Sequence, residues 1–268
     1  MTQNNSLPTA DIGVFGGSGF YSLFNDAESL WIDTPYGAPS AKITIADVGG
    51  KKVAFLPRHG VDHSFPPHRV PYRANLWAMK SIGVKKILAP CAVGSLQPEL
   101  KPGSFVICDQ FVDRTSGRAS TFFDGPKVTH VSTADPYCPT LRQQAIAIGQ
   151  EMNLDIHGEG TMVVIEGPRF STRAESKWFS SMGWSVVGMT GFPECVLARE
   201  LEMCYVNISL VTDYDVGTEG LVEPVTMEEV ARVFAKNTQS VKDLILKLCD
   251  RIDVNEDCSC MHALSGAN

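Results

Sequence analysis

The chain has 268 residues, of which 44% are hydrophobic and 20% are charged, with 30 acidic against 23 basic residues. An ordinary apolar fraction at this length provides a sizeable core and argues against disorder. The net charge of −7 comes without a basic stripe, which argues against a nucleic-acid-binding protein. No stretch approaches about 18 uninterrupted apolar residues, and the N-terminus lacks the pattern of a secretory signal. We expect a cytoplasmic protein whose partners include neither nucleic acid nor a membrane.

Short β-rich segments alternate with longer helical ones along the chain. The predicted strands are Ile12–Phe15, Ile43–Asp47, Val53–Leu56, Lys86–Ala89, Phe105–Cys108, Met162–Ile165, Val186–Met189 and Tyr205–Thr212. The predicted helices are Arg73–Ile82, Thr140–Met152, Thr172–Met182, Pro193–Glu202 and Met227–Asp250. The last helix is the clearest, because apolar residues repeat at helical spacing behind a Thr226 cap with Glu229 three residues on. The alternation predicts a single α/β domain with a mixed, mostly parallel central sheet flanked by helices.

We expect this domain to span residues 11–252, between an N-terminal extension at 1–10 and a C-terminal tail at 253–268. Eight cysteines lie at positions 91, 108, 138, 195, 204, 249, 258 and 260. Most of them stand in apolar runs, which favours buried free thiols over a disulfide framework.

Ligands of such sheets bind where strands end and loops begin, so the strand-end peptides are the first places to look for chemistry. The first is the glycine-rich peptide at 16–19, which contains Ser18. Backbone N–H groups and a hydroxyl there suit an anion such as phosphate, although a simple tight turn is the alternative. The peptide fits neither a dinucleotide fingerprint nor a Walker loop.

The second strand-end peptide contains Arg58 and His59, followed by His63 and His68. Arginine offers paired donors to an oxyanion, and histidine adds a donor whose charge changes near neutral pH. A surface charge is the alternative interpretation of Arg58. Three nearby histidines also raise the possibility of a metal site, but their proline-broken spacing does not put them on one helical face.

Two further peptides suit a nucleoside. The small residues at 91–94 allow a loop to lie against a ligand. Glu166, Arg169 and Phe170 stand at a strand end before a helix, where a carboxylate suits hydroxyls and an aromatic ring suits a sugar or base.

The last pattern combines Met189 and Thr190 with Asp213 and Asp215. Two carboxylates two residues apart point the same way and suit a metal, acid–base work or an exocyclic amine. Acidic turn residues are the alternative. The apolar strand before them predicts partial burial and a raised carboxylate pKa.

Taken together and in this order, the motifs resemble the 5′-methylthioadenosine phosphorylases, in the trimeric branch of the purine nucleoside phosphorylase superfamily. The resemblance runs from Ile12 to Asn237. It is carried by the GGSG turn, LPRHG, VPYRANLWAMK, CAVGSL, DQFVDRT, FFDG, ADPYCP, IEGPRFSTRAES, GMTGFPE and TDYD. It implies phosphorolysis of S-methyl-5′-thioadenosine to adenine and 5-methylthioribose 1-phosphate, by a homotrimer or a hexamer made of two trimers.

The resemblance also implies a set of site residues. Those expected to hold phosphate are Ser18, Arg58, His59, Cys91, Ala92 and Thr190. Those expected to hold the nucleoside are Phe170, Ser171, Met189, His130, Met227, Ala231, Asp213 and Asp215. The two aspartates are the expected catalytic residues, and His130 is expected to reach the neighbouring subunit's site. Inorganic phosphate is a co-substrate, and neither a metal nor an organic cofactor is expected.

Three departures from the family pattern stand out. Cys91 replaces a common Ser or Thr, so only its backbone contact to phosphate carries over, and Gly188 replaces a common Asn. The tail at 257–262 resembles the Cys-x-Cys tail of some microbial relatives, in which disulfides occur. Two thiols one residue apart are too cramped for an unaided tetrahedral metal site, which favours a redox role or no role over zinc.

Rival activities remain open within the class. A broader purine nucleoside phosphorylase acting on adenosine or 5′-halogenated adenosines is the main alternative, since small apolar pockets discriminate weakly. Methylthioinosine is disfavoured, because ionised aspartates accept hydrogen bonds and suit a 6-amino group. A non-catalytic nucleoside-binding protein is disfavoured, because Arg58, His59 and Asp213 are all present.

Overall fold

An eleven-stranded mixed sheet organises the residues that the computed structural model describes, which are 7–16, 27–216 and 224–267. The strands are β1 Ile12–Gly16, β2 Glu28–Leu30, β3 Ile43–Val48, β4 Lys51–Pro57, β5 Lys86–Ser95, β6 Phe105–Val106, β7 Gln110–Arg114, β8 Ile156–His157, β9 Thr161–Ile165, β10 Val186–Gly188 and β11 Cys204–Tyr214. The flanking helices are α1 Tyr72–Ser81, α2 Pro139–Glu151, α3 Arg173–Ser181, α4 Gly191–Glu200 and α5 Met227–Arg251. The predicted fold class is confirmed.

Strand β5 is the centre of the sheet. Its first half pairs in parallel with β1 on one side and β11 on the other. Its end pairs with β10, which runs in the opposite direction and is itself parallel to β9. The carboxyl ends of oppositely running strands therefore converge on residues 91–94 of β5, and a ligand crevice is expected at such a point.

Apolar helix faces cover both sides of the sheet. One core cluster includes residues of α1 and α4, and another includes residues of α2 and α5. Helix α5 begins where the sequence predicts, because the Thr226 hydroxyl accepts from the Glu229 N–H and supplies the missing cap. None of the helices in the described part of the chain is both long and apolar enough to cross a bilayer.

Three strands, β2, β7 and β8, are absent from the predicted set. Strand β2 is a three-residue, mostly exposed strand at the edge of the sheet, and β8 has only two residues. Neither is long enough to show an alternating apolar pattern. Strand β7 is defined by its parallel register with β9. Conversely, the strand predicted over Phe105–Cys108 pairs only over its first two residues.

Candidate active site

A cavity of about 520 Å³ opens at the convergence of β5, β10 and β11, with the first turns of α5 along one side. Most of the predicted site residues line it. They are Arg58, His59, Cys91, Ala92, Phe170, Ser171, Met189, Thr190, Asp213, Asp215, Met227 and Ala231. Their roles are still predictions, but the fold brings residues from six separate peptides to one cavity.

Two predicted site residues are not among those lining the cavity. Ser18 lies outside the described residues. His130 is exposed, and its N–H donates to the Ala267 carbonyl at 2.9 Å. The role of His130 in a neighbouring subunit's site stays a prediction.

Arg58 is held by a buried carboxylate that the sequence did not reveal. Its Nε and Nη2 donate to Glu194 at 2.7 and 2.8 Å, and its Nη1 donates to the Pro90 carbonyl at 3.0 Å. Tyr205 also donates to Glu194, at 2.8 Å. Burial opposes the charge of Arg58, but the attraction and hydrogen bonds of Glu194 outweigh it and raise the pKa of Arg58. The guanidinium is therefore a fixed cation at the cavity wall, and not the surface charge considered as an alternative.

His59 is neutral at ordinary pH. Burial and the charge of Arg58 lower the pKa of His59 to about 4, with a smaller opposing effect of its bond to Phe65. Its Nδ1 lies 2.8 Å from the Phe65 carbonyl, so the neutral ring carries its proton on Nδ1. That tautomer leaves Nε2 as an acceptor. The ring stacks on His63, with the ring centroids 4.2 Å apart.

The thiol of Cys91 is occupied by protein groups. Its Sγ accepts from the Asn207 amide at 3.3 Å and lies 3.5 Å from the Ser209 hydroxyl. Burial raises the pKa of Cys91, so the side chain is a neutral thiol. This arrangement fits the expectation that only the backbone at this position contacts an anion. Thr190 is buried at the start of α4, where its side chain makes no capping bond.

The two aspartates stand at an irregularity in β11. The register with β5 shifts between Val211 and Asp213, and this bulge re-aims the side chains that follow it. The Thr212 hydroxyl donates to Asp213 at 2.8 Å. A Cβ on Gly94 would lie 3.0 Å from Asp213 Oδ2, so the absence of a side chain there leaves room for the carboxylate.

Both carboxylates are buried, and their pKa values are raised as predicted. Burial raises the pKa of Asp213 to about 6, the Thr212 hydroxyl opposes this, and the negative charge of Asp215 adds to it. Burial also raises the pKa of Asp215, against the effect of the nearby Ser176 and Ser171 hydroxyls. Asp215 Oδ2 has no hydrogen-bond partner of normal geometry among the described residues, although it is buried beside the cavity. A buried acceptor of this kind calls for a donor from a ligand.

The rest of the cavity wall is mainly apolar. Helix α5 contributes Met227, Val230, Ala231 and Phe234. Met189 also lines the cavity and packs so closely on the backbone that a Cβ on Gly167 would lie 2.6 Å from its sulfur. Gly167 also has a φ of +65°, which favours glycine for a second reason.

Glu166 and Arg169 do not take the ligand-binding positions expected from the sequence. Glu166 pairs with Arg118 at 3.3 Å and accepts from the Ser116 N–H, while Arg169 pairs with Glu175 at 2.7 Å. Neither residue lines the cavity. The local reason is that β7 leads into a loop that delivers Arg118 to Glu166.

The side chain of Arg118 is also buried, and the sequence did not predict a role for it. It donates to the carbonyls of Met189, Phe192 and Glu166 at 2.9, 2.6 and 2.7 Å, and so ties together the peptides that frame the cavity. Arg118 comes three residues after the DQFVDRT motif, which is a signal in the sequence. The spacing does not show which carbonyls the guanidinium meets.

Gly188, which departs from the family pattern, has little free space. A Cβ there would lie 3.1 Å from the Met162 sulfur and 3.4 Å from Val93. Within residues 7–16, 27–216 and 224–267, no set of three or more metal-ligating side chains lies at the cavity.

Comparison with known proteins gives a consistent result. A family model described as the phosphorylase superfamily matches residues 11–249. The S-methyl-5′-thioadenosine phosphorylase of Mycolicibacterium smegmatis is 56% identical over 249 residues, which are 92% of this chain and 93% of that protein. The purine nucleoside phosphorylase of Streptomyces coelicolor is 52% identical over 267 residues, which are 96% of this chain and 95% of that protein.

Solved structures agree with these sequence relatives. A methylthioadenosine phosphorylase from an Antarctic soil metagenomic library superposes with a TM-score of 0.91 at 40% identity, covering 97% of this chain and 93% of that one. The methylthioadenosine phosphorylase of Schistosoma mansoni, in complex with adenine, gives 0.90 at 36% identity and 97% coverage of both chains.

Proposed function

The chain belongs to the phosphorylase superfamily, and on that premise we propose that it is a pentosyltransferase that cleaves S-methyl-5′-thioadenosine with inorganic phosphate. The products are adenine and 5-methylthioribose 1-phosphate. The observation that carries the proposal is a buried pair of carboxylates with raised pKa values, sharing one cavity with a fixed arginine and an apolar helix face. The activity named for the relatives at 56% and 40% identity supports it.

The reaction places opposite demands on the two sides of the substrate. As the purine leaves, positive charge builds on the ribosyl ring and negative charge on the base. A bound phosphate stabilises the ring charge and attacks C1′, and an acid at purine N7 stabilises the departing base. No covalent protein nucleophile is needed, because phosphate is itself the nucleophile.

Phosphate binds at the Arg58 end of the cavity in this proposal. Glu194 and Pro90 occupy three of the five guanidinium N–H groups, which leaves two for phosphate oxygens. The Ala92 backbone and Thr190 provide further contacts, and the family resemblance adds Ser18. His59 presents an acceptor Nε2, so it binds the P–OH of a monoprotonated phosphate and turns the deprotonated oxygens toward C1′.

The base binds at the aspartate end. Asp213, with a pKa of about 6, keeps roughly a tenth of its carboxyl groups protonated at pH 7 and donates to N7. The second oxygen of Asp213 and the Oδ2 of Asp215, which has no hydrogen-bond partner among the described residues, both face the exocyclic amine. A 6-oxo purine presents a carbonyl there instead, and two acceptors facing each other are unfavourable.

The 5′ substituent faces helix α5. Met227, Ala231 and Phe234 provide apolar surface at this part of the cavity, which suits a methylthio group better than a hydroxyl. The contrast is modest, and the relative from Streptomyces coelicolor is named purine nucleoside phosphorylase. Adenosine is therefore the second substrate that the proposal has to be tested against.

We further propose a homo-oligomer built on a three-fold ring, as a trimer or as two trimers, in which His130 completes the neighbouring subunit's site. Val128, two residues away, is 64% exposed, which suits burial in an interface. The proposed location is the cytoplasm, because all eight cysteines are free thiols in the structure.

A panel of four nucleosides tests the proposed function. The protein is incubated with methylthioadenosine, adenosine, 5′-chloro-5′-deoxyadenosine and methylthioinosine, with and without phosphate, and the released base is measured. We expect phosphate-dependent release that is fastest with methylthioadenosine and slowest with methylthioinosine. Equal release with and without phosphate would rule out phosphorolysis.

A further inference from the structure

Four buried thiols meet at the end of β11 remote from the cavity. The Sγ atoms of Cys138, Cys204, Cys258 and Cys260 all lie within 4.8 Å of one another. Their side chains are 7% exposed or less. We propose that this cysteine cluster is a structural Zn²⁺ site, held by four thiolates, that anchors the C-terminal tail.

The spacing of the four sulfur atoms is compact enough for a tetrahedral tetrathiolate. Zn–S bonds of about 2.3 Å place the sulfur atoms of a regular tetrahedron about 3.8 Å apart. The Sγ atoms of Cys138 and Cys258 are 3.5 Å apart, and every other pair falls within the same 4.8 Å limit. Four ligands also close the coordination shell, as structural zinc sites require.

The Cys-x-Cys tail alone provides only two ligands, too few for a structural zinc site. The fold supplies the two missing ligands from distant segments. Cys138 is the N-cap residue of α2, and Cys204 is the first residue of β11. The tail returns after α5 and makes a short 3₁₀ turn at Ser259–His262, which places Cys258 and Cys260 beside them.

The surroundings suit the charge of the site. Four thiolates and one Zn²⁺ form a complex with a net charge of −2; any thiol protons leave to solvent on binding, and no oxidation state changes. The backbone N–H of Leu141 donates to Cys138 Sγ, with 3.5 Å between nitrogen and sulfur. Leu141 is in the first turn of α2, where the helix dipole favours negative charge. Lys86 is in register with Cys204 and is 1% exposed. Its ammonium donates at 3.4 Å to the carbonyl of Glu256, two residues before Cys258, so a buried cation lies near the cluster.

The cluster is separate from the proposed chemistry. Cys204 and Asp213 are nine residues apart on one strand, which corresponds to roughly 30 Å at about 3.3 Å per residue. A metal at the cysteine cluster would stabilise the position of the C-terminal tail and would take no part in the reaction. The anchored tail donates from the Leu264 N–H to Glu202 at 3.2 Å, and the Ala267 carbonyl accepts from the His130 N–H at 2.9 Å. The tail thus supports the loop that carries His130.

Metal content and thiol count test the proposal on the full chain. The protein is purified without chelators from cells grown with added zinc, and zinc is measured by inductively coupled plasma mass spectrometry. We expect about one Zn²⁺ per chain. Eight free thiols should appear after denaturation with a chelator and no reductant, since all eight cysteines are unpaired. Reconstitution with Co²⁺ should give the intense visible absorption of a tetrathiolate site.

A double variant and a matched control locate the metal. Cys258→Ser/Cys260→Ser should lose the zinc and melt at a lower temperature. Cys249→Ala, which removes a buried thiol outside the cluster, should keep the zinc. A wild-type protein without metal overturns the proposal. If it shows eight free thiols, the cluster is simply reduced, and if some thiols appear only after reduction, the cluster forms disulfides. Equal zinc in the double variant and the control also overturns it.

Discussion

At the scale of the residue, Arg58 shows how burial changes the meaning of a motif. From the sequence alone, Arg58→Ala is expected to weaken phosphate binding with little effect on stability. The structure places Arg58 in a bidentate pair with Glu194, which is fully buried. Removing the arginine leaves that carboxylate uncompensated, and such losses cost about 3–5 kcal/mol.

We therefore predict that Arg58→Ala both raises the KM for phosphate and destabilises the fold. The double variant Arg58→Ala/Glu194→Gln should recover much of the stability, because it removes the orphaned charge, and should keep the high KM. Urea unfolding and phosphate saturation curves measure the two effects. A single variant with normal phosphate saturation would refute the phosphate-binding role.

Asp213 carries the acid chemistry of the proposal, and its titration gives a signature. A pKa of about 6 means that the protonated form is lost as pH rises above that value, so kcat for methylthioadenosine should fall on the alkaline side. Asp213→Asn should abolish this pH dependence and reduce kcat/KM by about 10²–10⁴. The loss should be smaller with methylthioinosine, whose carbonyl the new amide can meet. An equal loss with both substrates would argue against the 6-amino selection.

Stability against pH provides the folding control for this variant. The pKa of Asp213 is raised above its unfolded value, so its contribution is fully favourable below about 4 and is lost as pH rises through about 6. Asp213→Asn should therefore be more stable than the wild type at pH 8, on the order of 2 kcal/mol, with the difference shrinking toward pH 4. A less stable variant at pH 8 would mean that the carboxylate is not strained by burial.

At the scale of the element, helix α5 combines a structural and a selective role. Its C-terminal half is buried against the sheet, and its N-terminal turns line the cavity. We predict that Ala231→Ser, which places a hydroxyl near the 5′ group, shifts preference from methylthioadenosine toward adenosine by roughly tenfold in the ratio of kcat/KM values.

Ala235→Ser is the matched control for this prediction. Ala235 is one turn further along α5, is exposed and does not line the cavity. The same change there should leave the ratio unaltered. If both variants shift the ratio equally, α5 does not set the choice of 5′ group.

The elements that carry a local signal were predictable, and those defined by tertiary pairing were not. All five predicted helices appear within a few residues of their predicted bounds. Caps such as Thr226 and periodic apolar faces are encoded by residues that are close together in sequence. Strand β8 exists only because Phe105 and Val106 pair with it. In the same way, the motifs indicated Arg58 and the aspartates, but partnership with Glu194 and the meeting of Cys138 with the tail depend on segments far apart in sequence.

At the scale of the whole molecule, the proposed active site is complete only in the oligomer, because His130 comes from a neighbouring subunit. The exposed His130 and Val128 lie on one loop that is braced by the tail. We predict a trimer or hexamer by light scattering at assay concentration. His130→Ala should raise the KM for methylthioadenosine and leave that for phosphate unchanged. A fully active monomer would contradict the shared site.

Phosphorolysis is tested most directly by following both products of one reaction. Methylthioadenosine and phosphate are incubated with the protein, adenine is measured by chromatography, and the sugar phosphate is measured by ³¹P nuclear magnetic resonance. We expect one 5-methylthioribose 1-phosphate for each adenine released, and no release when phosphate is omitted. Adenine release with phosphate unconsumed, which would be hydrolysis, would contradict it.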